Sequence, residues 1–235
     1  MSLAEHLFQD FIAEKRYMYL IDGLKNTLII TAGALVLGII LGVIAAIIRV
    51  QHQNKKNSSG KIGPLLFLAN LIAGLYLTII RGTPTIVQLM ILTFAIWKSG
   101  QPIQVAIVAF GINSGAYVAE IIRSGIQSVD AGQTEAGRSL GLSARMTLQK
   151  IVLPQAFKNV APAIFNEFIS LVKETSVAGY VGIQDLTKGG DIIRSQTYDA
   201  FPPLLAVALI YLVIVIGLTQ ILRILERRMA RSDIR

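Results

Sequence analysis

Polar and charged side chains stand inside three long apolar stretches of this chain. Gln88, Asn113 and Lys173 interrupt segments that are otherwise rich in Leu, Ile, Val and Ala. An amide or an ammonium in apolar surroundings needs a partner that hydrogen-bonds it or carries the opposite charge. These groups could therefore bind a polar solute, or they could simply hydrogen-bond one helix to the next. The residues alone leave both interpretations open.

The same three residues share one depth within their segments. At a rise of about 1.5 Å per helical residue, each lies about 14–16 Å from one end of its segment, near the centre of a ~30 Å hydrocarbon core. Tyr117 is one helical turn from Asn113. Glu174 follows Lys173, and the two could instead neutralise each other. The candidate solute-binding residues are Gln88, Asn113, Tyr117, Glu120, Lys173 and Glu174.

A second group of candidates fills a polar stretch between two apolar runs. It reads Glu135-Ala136-Gly137-Arg138-Ser139-Leu140-Gly141-Leu142. Thr134 is expected to cap a short helix, Gly141 to interrupt it, and Ser143 to cap a second one that Pro154 ends. The stretch thus predicts two short helices that meet at a glycine, a shape suited to docking on a soluble partner.

Composition points to an all-α membrane protein of one domain. Hydrophobic residues make up 53% of the 235 residues and charged residues 15%, against about 25% charged in soluble domains. The mean hydropathy is +0.60. The net charge is +8, and the Lys and Arg residues lie at the ends of apolar runs. This placement indicates that the positive charge orients the chain in the membrane and does not bind nucleic acid. Without cysteine, Cys-based metal sites and thiol chemistry are excluded.

Basic clusters predict the orientation. Lys and Arg number four in 49–61, four in Arg123–Lys150 and five in Arg223–Arg235, which places all three on the cytoplasmic side. Residues 64–97 must then cross once, with 64–80 near the inner interface. The expected transmembrane helices are 27–48, 84–97, 103–123, 163–181 and 203–222. An outer loop at 182–202 joins the last two. Five crossings put the N-terminus outside and the C-terminus in the cytoplasm.

Three segments complete the expected organisation. Residues 1–26 form an interfacial segment, with Leu3, Leu7, Phe8, Phe11 and Ile12 on one helical face. Residues 27–222 form a single transmembrane domain, in which Gly33, Gly38 and Gly42 allow close helix packing. Residues 223–235 form a basic cytoplasmic tail.

The polar stretch also carries a family resemblance. The pattern Glu135-Ala136, then Gly141, then Ile151-Val152-Leu153-Pro154 resembles the signature loop, or EAA motif, of ABC importer membrane subunits. Over 133–156 it is similar to the permeases for polar amino acids, as are Arg81–Pro84 and Asn113–Glu120. Gly137 stands where that family most often has Ala, a change that loosens a helix by about 1 kcal/mol.

The resemblance implies a type I ABC importer permease in the bacterial inner membrane, with a cytoplasmic coupling-helix loop. The chain would import a polar or charged amino acid delivered by an extracytoplasmic binding protein. It would pair with a second permease chain and dock a nucleotide-binding subunit through 135–142. That subunit would bind ATP and Mg, because this chain has no phosphate-binding loop. No enzyme activity, cofactor, metal or nucleic acid is expected in this chain.

Within that framework, five of the six candidate side chains receive a role, while Glu120 is expected nearer the inner surface. Lys173 would take the carboxylate of the amino acid, and Glu174 its ammonium. Tyr117 would stack on an aliphatic or guanidinium group, while Gln88 and Asn113 orient the ligand. An ion-coupled secondary transporter or channel is the alternative, and a non-transporting scaffold is a third possibility. The sequence shows no internal repeat, which counts against a secondary transporter built of two related halves.

Overall fold

The computed structural model describes the backbone of residues 8–57 and 60–231, nearly all of it helical. A π-helical turn at Phe8–Ile12 and a 3-10 turn at Ala13–Lys15 precede the first long helix. The α-helices, in chain order, are α1 Tyr17–Asn57, α2 Pro64–Arg81, α3 Thr85–Ile91, α4 Pro102–Gln127, α5 Ala131–Ser139, α6 Ala144–Thr147, α7 Leu153–Glu174, α8 Leu186–Thr197 and α9 Phe201–Arg231. These described ranges contain no strand, so the all-helical prediction is confirmed. Leu3 and Leu7 of the expected interfacial helix lie outside them.

Three shorter turns extend these helices. A π-helical turn, Leu92–Ile96, follows α3 and ends at Trp97, whose N–H donates to the Leu92 carbonyl at 2.7 Å. A second π-helical turn, Leu148–Val152, joins α6 to α7. A 3-10 turn, Thr175–Val181, follows α7.

Four helices of the described part are long and apolar enough to cross a membrane, namely α1, α2, α4 and α9. The segment Thr85–Ile96 is apolar but short. At 1.5 Å per residue it reaches about 18 Å, less than the ~30 Å hydrocarbon core. A crossing that includes this segment would therefore also have to include residues of α2 to span the core. The count of five crossings therefore stays a prediction.

Two expected loops are largely helical. Residues 49–61 were expected to be a loop, but α1 continues to Asn57, because neither Gly nor Pro occurs between Arg49 and Asn57. The expected outer loop 182–202 contains the whole of α8.

The cap that starts α8 is buried. The Asp185 carboxylate accepts hydrogen bonds from the N–H groups of Thr187 at 3.0 Å and Lys188 at 3.2 Å. Burial raises the pKa of this carboxyl above its usual range, although these bonds oppose the rise. The Thr27 hydroxyl accepts a hydrogen bond from Leu186 N–H at 3.1 Å, which ties the start of α8 to α1.

The start of α7 also differs from expectation. Pro154 was expected to end the signature stretch and Pro162 to open a helix at 163. Instead α7 begins at Leu153, so Pro154 lies in its first turn and Pro162 in its interior. A proline in the first turn removes only an N–H that has no partner within the helix. The chain can therefore start a helix at Pro154 rather than stop one there.

The chain forms two compact units. One comprises Met1–Leu37, Thr83–Ile112 and Phe168–Ile221, and the other comprises Gly38–Gly82, Asn113–Glu167 and Leu222–Arg235. The first unit has a core of buried apolar residues from α1, α3, α4 and the α7 region, which are Ile30, Ala34, Leu89, Ala106, Ala109, Phe110, Leu171, Ala178 and Ile183. Burying each of the larger side chains contributes about 1.5–3 kcal/mol.

The second unit is held by close packing of small residues. A Cβ added at Gly42 would lie 2.5 Å from Cγ1 of Val118, and one at Gly38 would lie 3.1 Å from the Ser114 side chain. These two glycines therefore let α1 approach α4 closely, as the sequence predicted. Ala45, Leu77, Ala116 and Ala119 form the small apolar core beside this contact.

Candidate functional site

The short helices of the signature stretch begin at polar caps. The Asp130 carboxylate accepts a hydrogen bond from Gly132 N–H at 2.7 Å and caps α5. The prediction that Thr134 is the cap is wrong, because α5 starts earlier and encloses Thr134. The Ser143 hydroxyl accepts a hydrogen bond from Met146 N–H at 3.2 Å and caps α6, as predicted.

The bend between α5 and α6 depends on Gly141, whose φ is +84°. Its N–H donates to the Arg138 carbonyl at 3.0 Å, and the N–H of Leu142 donates to the Gly137 carbonyl at 3.1 Å. This pair of bonds is the Schellman arrangement that ends a helix at a left-handed residue. The Arg138 guanidinium also donates to the Leu142 carbonyl at 3.0 Å. The predicted meeting of two short helices at Gly141 is confirmed.

Gly137 lies at the contact between α5 and the following turns. It is buried, and an added Cβ would lie 2.8 Å from Thr147 Cγ2 and Ile151 Cδ1. Glycine therefore lets the π-helical turn pack against α5, a benefit that offsets its poor helix propensity. The sequence alone indicated only the loss of propensity.

The tip of this element presents an exposed surface, which we call the docking tip. Its members are the exposed residues Glu135, Ala136, Ser139 and Leu140. The Leu140 side chain is 82% exposed. An exposed leucine and an exposed carboxylate on a capped element suit contact with another protein.

A charged cluster surrounds Arg81 in the second unit. The Arg81 guanidinium lies 5.7 Å from the centroid of the Tyr117 ring, and its Nη1 lies 3.8 Å from Oε2 of Glu120. Glu120 also accepts hydrogen bonds from both Nε and Nη2 of Arg123. An adjoining cavity of about 580 Å³ is lined by Arg49, Arg81 and Glu120, among others, within the size range of small-ligand sites. The structure thus brings two predicted residues, Tyr117 and Glu120, to one place.

Asn113 lies one turn before Tyr117 on α4 and is 1% exposed. The next residue, Ser114, donates a hydrogen bond at 2.8 Å to Oε1 of Glu167 on α7. Neither Ser114 nor Glu167 was among the candidates from the sequence, so this polar contact between helices was missed. Both residues are polar and interrupt apolar segments, and this feature of the sequence could have identified them.

The remaining candidates lie in the first unit. The Gln88 amide donates to the hydroxyl of Thr83 at 2.8 Å and to its carbonyl at 3.1 Å, across the start of α3. Lys173 is exposed and Glu174 half-buried in the last turn of α7. A single site formed by all six candidates stays a prediction.

Two arginines were missed as candidates. In the sequence, Arg81 was noted only within the family resemblance of Arg81–Pro84, and Arg49 only within a basic cluster on the cytoplasmic side. Both line the cavity beside Glu120. Arg81 separates two apolar runs, and a charge at such a position is itself a sign of function.

A second ionic group lies on α8. Asp191 accepts hydrogen bonds from Lys188 at 2.8 Å and from Arg194 at 2.6 Å. These cations hold the pKa of the Asp191 carboxyl below its usual range. The carboxylate therefore stays ionised well into acidic solution.

Comparison with known proteins gives consistent matches. The family model for the inner membrane component of binding-protein-dependent transport systems matches residues 63–231. The glutamine transport system permease protein of Escherichia coli K12 is 37% identical over 215 residues, 89% of this chain and 92% of that protein. The arginine transport system permease protein of Bacillus subtilis is 35% identical over 219 residues, 92% of this chain and 94% of that protein.

Solved structures agree with these matches. A crystal structure of an amino acid ABC transporter with histidines superposes with a TM-score of 0.82 at 38% identity, covering 93% of this chain and 98% of that one. The inward-facing methionine transporter MetNI shares the fold, with a TM-score of 0.73 at 20% identity over 90% of this chain and 96% of that one. The chain therefore belongs to the family of inner membrane components of binding-protein-dependent transport systems, which are the permease subunits of ABC transporters.

Proposed function

We propose that this chain carries a polar or charged amino acid across the bacterial inner membrane as a permease subunit of an ATP-driven importer. The docking tip is the observation that carries the proposal. The docking tip presents an exposed leucine and an exposed carboxylate. It lies on a capped, sharply bent element between apolar helices. The sequence has no phosphate-binding loop, so the energy must enter through a separate subunit that binds ATP and Mg. The docking tip is where that subunit would bind.

The choice of solute rests on charge. Relatives of this chain are named for glutamine and arginine transport. The cavity beside Arg81 carries charges of both signs, Arg81 and Glu120, and a zwitterion needs a partner for each of its own charges. Lys173 and Glu174 would supply a second pair on α7. We propose that the polar groups of Gln88, Asn113 and Tyr117 help to orient the solute.

Two further partners complete the importer. A second permease chain, identical or related, would form a dimer with this one, and a binding protein would deliver the solute from outside. The ionised Asp191 and its two cations on α8 offer that protein a surface of mixed charge.

A substrate panel tests the proposal. The assembled complex of permease, ATPase and binding protein would be placed in vesicles, and ATP hydrolysis would be measured with glutamine, glutamate, arginine and histidine in turn. We expect at least one of them to stimulate hydrolysis several-fold and to enter the vesicles with ATP present. Uptake driven by an ion gradient without the ATPase would instead support a secondary transporter.

Orientation gives a separate prediction. Cysteines placed at Lys56 and Ser143 should be shielded from an impermeant thiol reagent in intact cells, while cysteines at Ser99 and Ser195 should be labelled. The chain has no cysteine of its own, so the background is low. Ser195 is exposed on α8, whereas Gly190 on the same helix packs against Val207 and is a poor place for a probe. Labelling of Ser143→Cys from outside would contradict the five-span topology.

A further inference from the structure

A basic cavity of about 230 Å³ opens in the second unit, between the C-terminal part of α1, the start of α2 and the end of α4. Arg49 and Lys56 line it from α1, and Arg123 lines it from α4. His52 adds an imidazole ring to the lining. The amides of Gln53, Asn54, Asn70 and Gln127 complete the polar lining, and none of the described residues that line the cavity is acidic.

The charges in this cavity are only partly neutralised. Arg123 is paired with Glu120 and also donates to the Gln127 amide oxygen at 2.5 Å. Arg49 donates to the amide oxygen of Asn70 at 3.4 Å, which orients the guanidinium without cancelling its charge. Glu120 is shared with Arg81, so one carboxylate serves several cations. The cavity therefore keeps an excess of positive charge and several hydrogen-bond donors, which are the groups that bind a phosphate ester.

An apolar surface adjoins the cavity. The face of α2 next to it exposes Leu68, Leu71 and Leu75, with 52%, 49% and 54% of each side chain accessible. The Phe67 ring, 58% exposed, lies 6.5 Å from the His52 ring. The larger cavity beside Arg81 shares Arg49 and Asn70 with the basic cavity and includes Leu71 and Leu75. Anion-binding groups thus stand at one end of an exposed apolar strip.

We propose that this cavity binds the headgroup of an anionic phospholipid, with the acyl chains along the exposed face of α2. A phosphate that bears apolar chains satisfies both halves of the surface, whereas a free phosphate leaves the leucines uncovered. Neutral phospholipids carry a compensating cation in the headgroup, and the excess positive charge disfavours them. The inference depends on the membrane location of the chain and not on which solute it transports.

Neighbouring lysines on α1 provide a matched test. Lys56 lines the cavity, while Lys55 is exposed beside it and does not line it. Replacing either by Gln removes the same charge from the same helical turn. The purified transporter complex would be titrated in detergent micelles with short-chain fluorescent phosphatidylglycerol, and in parallel with phosphatidylcholine. Inorganic phosphate and glycerol phosphate would serve as soluble competitors.

We expect phosphatidylglycerol to bind at least tenfold more tightly than phosphatidylcholine. Lys56→Gln should weaken its binding about fivefold, since a cation beside an anionic headgroup contributes a term of this size. Lys55→Gln should weaken it less than twofold, because Lys55 does not line the cavity. Adding Arg49→Gln to Lys56→Gln should weaken binding further. Equal effects of Lys55→Gln and Lys56→Gln, or no preference between the two lipids, would overturn the assignment. Complete displacement of the lipid by millimolar phosphate would indicate a soluble anion as the ligand and would overturn it as well.

Discussion

Gly141→Val should abolish most transport by disturbing the bend between α5 and α6. A β-branched residue at φ +84° is strained by about 1–3 kcal/mol. The chain can relieve that strain only by giving up the Schellman hydrogen bonds, which would move the docking tip. We expect co-purification of the ATPase in detergent to fall about tenfold, and uptake to fall with it. Full binding together with full uptake would refute the role of this bend.

The chain offers two controls for this experiment. A Cβ at Gly141 meets nothing within 4 Å, and the same is true at Gly217, which lies inside α9 without a positive φ. Gly217→Val therefore adds the same atoms in open space and should leave ATPase binding unchanged. Gly141→Asn should retain more binding than Gly141→Val, because Asn tolerates the left-handed region. If all three variants behave alike, the backbone conformation at Gly141 does not matter.

Glu174→Gln and Asn113→Leu should each lower amino acid uptake more than tenfold while assembly and basal ATP hydrolysis persist. Glutamine keeps the shape of Glu174 but removes the charge that would pair with an ammonium. Leucine keeps the approximate volume of Asn113 but removes its hydrogen bonds. A buried hydrogen bond to a charged group contributes about 1.5–3 kcal/mol, which corresponds to a tenfold to hundredfold change in binding.

Matched variants separate transport from packing. Glu226→Gln removes an exposed carboxylate from α9 and should leave uptake intact. Asn26→Leu removes a structural amide that donates to the Gln184 carbonyl at 2.8 Å. If Asn113 is only structural, Asn113→Leu should resemble Asn26→Leu, with a lower melting temperature and uptake in proportion to the folded protein. Parental uptake in both Glu174→Gln and Asn113→Leu would place the solute site elsewhere.

Local chemistry made part of the signature stretch predictable. Gly141 and Ser143 act through their own backbone or through a neighbour three residues away, so their types and spacing suffice. The caps Asp130 and Asp185 are equally local, yet they were missed. Asp130 was missed because Thr134 is also an acceptable cap residue. Asp185 was missed because it lies in a stretch that was expected to be a loop.

The sequence did not predict which side chains of different helices contact each other. Arg81, Tyr117 and Glu120 meet only because α2 and α4 pack side by side, and no spacing along the chain encodes that pairing. The role of Gly137 could not be predicted for the same reason. Its small size matters only because Thr147 and Ile151, which come later in the chain, pack against α5 at this position. Polarity within apolar runs marked Tyr117 and Glu120 as candidates, but it could not identify Arg81 as their partner.

Trp97 makes the end of the π-helical turn after α3 observable by spectroscopy. It is the only tryptophan in the chain, it is 36% exposed, and its ring would lie 2.9 Å from a Cβ at Gly100. Indole emission from the isolated permease chain therefore originates at one known position, without any added dye. The emission wavelength depends on the polarity around the ring. Quenchers placed at different depths in the lipid would report how deeply the end of this π-helical turn is immersed.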